Sequence, residues 1–122
     1  MSSVEARART WLRVDGAYCA VGGILALALS RPLSALVHAP AEVLVGVGLG
    51  AVTWAFVLTR LARRSAWRHP LRLVAAANAI ASIGVATLAA VTPAMAGRLL
   101  FVAVAVEVAA FAVVQWRLLR AA

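Results

Sequence analysis

The sequence predicts an all-α integral membrane protein: four transmembrane helices in an up-down-up-down antiparallel bundle, with both termini cytoplasmic. Three observations carry this. The 122 residues are 65% hydrophobic, well above the roughly 45–50% apolar usage of soluble domains. A chain this short could not hide so much apolar surface from water within one soluble fold. The apolar residues fall into four runs near the length a bilayer demands, and the arginines cluster at the ends of those runs.

A membrane-crossing helix needs about 20 mostly apolar residues, with a range of about 17–25. The first run covers about 14–37, continuing past Pro32, and the second 43–59. The third covers 73–91 and the fourth 99–116. They form a single domain of residues 1–122, linked by "SRPLSALVHAPAE", "RLARRSAWRHPLR" and "TPAMAGR". In the fourth run "VAVAVEV" alternates by size but has no polar face, so no strand period exists. A lone strand in lipid would also leave its backbone groups unpaired, and a helix does not. The first run has a basic lead-in and "ALA" at Ala26–Ala28, the form of a secretory leader. Three further spans make a retained span the expectation.

The net charge of +8 comes from twelve arginines against four acids, with no lysine. In a soluble chain that balance would suggest nucleic acid. Here it predicts topology instead. Arg7, Arg9 and Arg13 precede the first span, Arg60, Arg63, Arg64, Arg68 and Arg72 lie between the second and third, and Arg117 and Arg120 follow the fourth. Only Arg31 and Arg98 fall on the other side. Positively charged segments stay inside, which places the termini and the middle loop in the cytoplasm, and the protein in the inner membrane. Trp11, Trp67 and Trp116 fall at the same boundary, as an interfacial aromatic belt does.

Several classes of chemistry have no support in the sequence. Cys19 is the only cysteine, so no internal disulfide or multi-cysteine metal site can form. His38 and His69 fall on opposite sides of the membrane, and Glu42 beside His38 makes a weak metal motif; no metal or cofactor is expected. "GVGLG" at 46–50 lies inside an apolar span with no strand before it, which excludes a nucleotide loop. Its Gly46 and Gly50 have GxxxG spacing, and Gly16, Ala20 and Gly23 share a face of the first span. Such faces allow close helix approach, either within the chain or in a homodimer.

The polar residues inside the spans are the candidate site. Glu107 lies about 15 Å from either surface at about 1.5 Å per residue, near the bilayer midplane. A central ionisable group costs about 2.5–3.5 kcal/mol to insert, while the Leu, Val and Phe residues of that span return roughly 3–6 kcal/mol. The helix therefore inserts with or without a partner for Glu107. Either Glu107 is a neutral acid hydrogen-bonded to Asn78, Ser82 or a carbonyl, or it binds a cation or exchanges a proton. Asp15 and Tyr18 in the first span, Asn78 and Ser82 in the third and Gln115 in the fourth fall in the same half of the membrane. With Glu107 they predict one polar cleft opening to the cytoplasm, with Asp15 at headgroup level near its mouth and Asn78 and Gln115 able to act as interhelical glue.

The leading functional expectation is binding or transport of a small cationic or lipophilic molecule, or a proton, at Glu107. Its four spans and single central acid are similar in outline to the small multidrug resistance transporters. Those carry their essential glutamate in the first span, which here holds none, so no residue carries over. The alternatives are a non-catalytic subunit or assembly factor of a larger membrane complex, and an intramembrane isomerase or cyclase. The enzyme would use Glu107 as general acid on a lipophilic substrate, with Asp15 or Tyr18 as partner; the scarcity of other convergent polar groups weighs against it. Membrane lipid is the remaining expected partner; the basic middle loop could meet anionic headgroups, but its arginines are sufficiently explained as a topology signal.

Overall fold

The computed structural model describes residues 2–122, whose regular structure is entirely helical, with no strand among them. Four long helices have the length and apolar composition to cross a membrane: α1 (Ser3–Ala28), α3 (Ala41–Leu61), α4 (Arg68–Val91) and α5 (Met95–Arg120). A short helix, α2 (Ser30–Val37), follows α1.

The first span differs from the expected 14–37. It does not run continuously to Val37, and its helix begins at Ser3, well before Val14. Proline lacks an amide hydrogen, and its ring collides with the carbonyl four residues earlier. Pro32 therefore ends the preceding helix at Ala28 and is accommodated in the first turn of α2. At the other end, the Ser2 side chain accepts a hydrogen bond from the Glu5 amide at 3.1 Å, capping α1 in the arginine-rich lead-in. His38 takes the left-handed conformation (φ 55°) that closes α2 and turns the chain into α3. Pro93 plays the same part after α4: the residue before a proline is pushed to extended backbone, and Thr92 sits at φ −76°, ψ 125°. The Arg98 side chain donates to the Thr92 carbonyl at 2.5 Å across that turn.

The helices associate as two pairs, α1 on α3 and α4 on α5, joined mainly where α1 meets α5. Between α1 and α3 the backbones come close enough to exclude a side chain, with Gly23 facing Gly48. Gly16 lies on the same side of α1, against Ala55 and Leu58. Gly46 and Gly50 face away from the rest of the chain. Gly48, between the two glycines of GxxxG spacing, is thus the one at the contact.

The largest buried cluster lies at the arginine-rich end: Ala8 and Leu12 of α1, Leu58 of α3 with Ala62 just beyond it, Leu71 and Val74 of α4, and Leu118 of α5. The Arg9 guanidinium ties α1 to the loop after α3, donating to the Ala62 carbonyl at 2.7 Å and the Ser65 carbonyl at 3.3 Å while pairing with Glu5 at 2.8 Å. Away from that end the helices present apolar residues outward, with Ile80 and Val91 each 71% exposed. That exterior suits lipid. Water would favour a polar one.

Candidate functional site

Helix rotation divides the expected polar cleft into two sites. The first is a buried triad. Asp15 of α1, Asn78 of α4 and Gln115 of α5 are 1%, 6% and 0% exposed. The Asn78 amide nitrogen donates to Asp15 Oδ2 at 2.7 Å and to Gln115 Oε1 at 3.0 Å. The Gln115 amide nitrogen donates to the same Asp15 oxygen at 2.8 Å. Asp15 Oδ1 accepts from the Cys19 thiol at 3.7 Å, one turn further along α1. No buried side-chain nitrogen or oxygen among the described residues lacks a partner. Each member satisfies the others, so the triad clips α1, α4 and α5 together at one level.

Asp15 therefore differs from its expected place at a solvated mouth. Because α1 starts at Ser3, Asp15 is already about 18 Å along the helix at about 1.5 Å per residue. It also faces the neighbouring helices.

The second site is a groove of about 390 Å³ between α1 and α5, lined by Trp11, Tyr18, Glu107, Ala110, Phe111 and Val114. Glu107 is exposed in it, and its Oε2 accepts a hydrogen bond from the Tyr18 hydroxyl at 2.5 Å. Phe111 packs edge-on to Trp11, with ring centroids 5.9 Å apart, and lies tilted against Tyr18 at 5.3 Å. Three aromatic rings and Glu107 thus line one largely apolar groove, with Tyr18 the ring bonded to the carboxylate. The structure brings Tyr18 to Glu107 and leaves Asn78 in the triad. Ser82 belongs to neither site: it is half-buried, and its hydroxyl donates to the Ala79 carbonyl at 2.8 Å within α4.

No family model, characterised protein or solved structure matches this chain.

Four groove residues, Trp11, Ala110, Phe111 and Val114, were not among the expected site residues; Trp11 had a sufficient explanation as a belt residue. The signal was helical spacing. Glu107, Phe111 and Val114 recur at i, i+4 and i+7, and Trp11 and Tyr18 are seven apart, so each set shares a face. What spacing cannot supply is that the two faces meet.

The groove can hold charge in an apolar setting. Aromatic faces carry negative potential and attract cations, by about 0.5–1 kcal/mol when exposed and about 2 kcal/mol or more when desolvated. Glu107, where ionised, supplies a counter-charge, and the Tyr18 hydroxyl holds its Oε2 from one side. Among the described residues no group of three His, Cys, Asp or Glu stands together as a metal site would require.

Proposed function

We propose that this chain is a multi-pass protein of the cytoplasmic membrane that binds, and by extension moves, a small lipophilic cation at the Glu107 groove. One observation carries the reading: Glu107, at the middle of α5, is an exposed acid lining a groove walled by Trp11, Tyr18 and Phe111. A permanent cation with apolar substituents matches both the rings and the carboxylate. A proton is the smaller alternative cargo for the same acid.

An up-down-up-down course with both termini inside belongs to this proposal. The meeting of the starts of α1 and α4 with the ends of α3 and α5 in one buried cluster supports the alternation. Ten of the twelve arginines lie toward that end, which supports its assignment to the cytoplasm.

Tetraphenylphosphonium is a suitable probe, because it is both apolar and permanently charged. Its binding to the detergent-purified protein should fall at least tenfold in Glu107→Gln, which is close in shape and lacks the charge, on the basis that about 1.4 kcal/mol is tenfold. Tyr18→Phe keeps the ring and loses the hydrogen bond, so its effect should be smaller. Equal binding by wild type and Glu107→Gln would end this reading. Uptake of the probe into proteoliposomes then separates a transporter from a binding protein.

The groove that sets Glu107 beside Tyr18 also admits a second reading, an isomerase or cyclase in which Glu107, protonated on the oxygen that does not accept from Tyr18, donates to a lipophilic substrate. A new product after incubation with lipid extract, absent with Glu107→Gln, is the outcome that would favour it.

A further inference from the structure

On the opposite side of α5 from Glu107 lies a second groove, of about 510 Å³, between α4 and α5 at their arginine-rich ends. Its composition is divided. Ala75, Ala76, Ala79, Ala112 and Val113 line it with small apolar side chains that leave a trough between the two helices. The rim carries Arg72 from α4 and Arg117 and Arg120 from α5, together with Trp116. The Arg120 guanidinium lies over the Trp116 ring, 5.8 Å from its centroid.

These three cations have no carboxylate of their own. All four acids of the chain are accounted for elsewhere. Glu5 pairs with Arg9, Asp15 is enclosed in the triad, Glu107 is bonded to Tyr18, and Glu42 lies in the first turn of α3. Neither Arg72 nor Arg117 donates a side-chain hydrogen bond or forms an ion pair among the described residues. The groove therefore pairs a concentrated positive charge with a trough of hydrocarbon character. Its volume lies within the roughly 300–1,000 Å³ of small-molecule sites.

We propose that this groove is a binding site for an anionic glycerophospholipid, with the phosphate held by Arg72 and Arg117 and an acyl chain lying along the alanine trough. Guanidinium groups match phosphate oxygens in a planar fork, which a single ammonium does not. The Arg120–Trp116 stack forms the interfacial wall. The trough selects an amphiphile over a free phosphate ion, and the arginines select an anionic headgroup over a zwitterionic one. This site is independent of the Glu107 groove.

The test is lipid titration of the detergent-purified full chain, read by native mass spectrometry. The probes are phosphatidylglycerol and phosphatidylcholine, each with and without excess inorganic phosphate. At roughly tenfold for each direct arginine–phosphate contact, Arg72→Gln/Arg117→Gln should weaken phosphatidylglycerol binding by about 100-fold. Arg7→Gln/Arg13→Gln removes the same charge outside the groove and should leave phosphatidylglycerol binding close to that of the wild type. Ala76→Leu fills the trough with all charges intact and should also weaken binding. Equal loss in both double-arginine variants would overturn the proposal in favour of diffuse attraction to a +8 protein. Equal binding of phosphatidylcholine, displacement by inorganic phosphate, or full binding by Ala76→Leu would each overturn it as well. Far-ultraviolet circular dichroism checks that every variant is folded.

Discussion

The stretch "GVGLG" in α3 makes a prediction in which neighbouring glycines respond with opposite sign. A methyl group added at Gly48 would lie 2.8 Å from the Gly23 carbonyl oxygen and 2.8 Å from Leu27 Cγ. Ordinary contact begins at 3.4 Å. The leucine can turn aside, but the carbonyl belongs to the backbone of α1, so the two helices must separate by about 0.6 Å, the difference between those distances. Overpacking of this kind costs about 1–3 kcal/mol, and alanine recovers about 0.8–1 kcal/mol of helix propensity. Gly48→Ala should therefore destabilise the fold by about 1–2 kcal/mol, the backbone clash placing it high in that range. Gly46 and Gly50 have nothing within 4 Å of an added methyl. Alanine there should be neutral or stabilise by up to about 0.5–1 kcal/mol. Reversible unfolding in mixed micelles by sodium dodecyl sulfate, followed by circular dichroism, gives the three values under one condition. Gly48→Ala as stable as Gly46→Ala would refute the Gly23–Gly48 contact and the α1–α3 packing built on it. If Gly46 and Gly50 instead form a seam between two copies, Gly46→Leu will dissociate a dimer on size-exclusion chromatography with light scattering.

Three further outcomes follow from the same geometry. Asn78→Ala removes both donors that Asn78 supplies and leaves Gln115 Oε1 without its Asn78 donor; at about 1–3 kcal/mol for an unsatisfied buried group, tempered by the average of about 0.6 kcal/mol for hydrogen bonds between membrane helices, a loss of about 2 kcal/mol is expected in the same unfolding assay. A change within about 0.5 kcal/mol would mean that the triad does little to hold α1, α4 and α5 together. Arg9→Ala frees the Ala62 and Ser65 carbonyls, so amide exchange should quicken in the 62–67 loop and at the start of α1; unchanged protection there would count against the clamp. For topology, Ala66→Cys and Ala94→Cys, each in a Cys19→Ser background, should react with an impermeant maleimide from opposite sides of the membrane. Ala66→Cys, in the exposed part of the middle loop, should react only in inverted vesicles. Labelling of both positions from the same side would contradict the alternating course.

How much of the site was legible in advance can be followed residue by residue. Glu107 stood out because an acid amid valines and alanines is expensive in lipid and therefore conspicuous. Asn78 and Gln115 were recognisable as interhelical glue for the same reason. The partners were not legible. Ser82 was grouped with Glu107 on depth alone, yet its hydroxyl is bonded within its own helix. Asp15 looked solvated because the apolar run begins at Val14, whereas the helix begins eleven residues earlier at Ser3. Hydropathy reports where lipid begins, and helices continue past that point.

By itself, the sequence determines four helices long and apolar enough to cross a membrane, with most of the arginines in the two terminal segments and the middle connection. Composition and length suffice for that, because lipid rejects unpaired backbone and charge wherever they occur along a helix. The tertiary structure alone decides rotation. Turning a helix about its axis changes neither its hydropathy nor its length. Yet it is rotation that puts Gly48 rather than Gly46 against Gly23, encloses Asp15 with Asn78 and Gln115, and leaves Glu107 in an open groove with three aromatic rings.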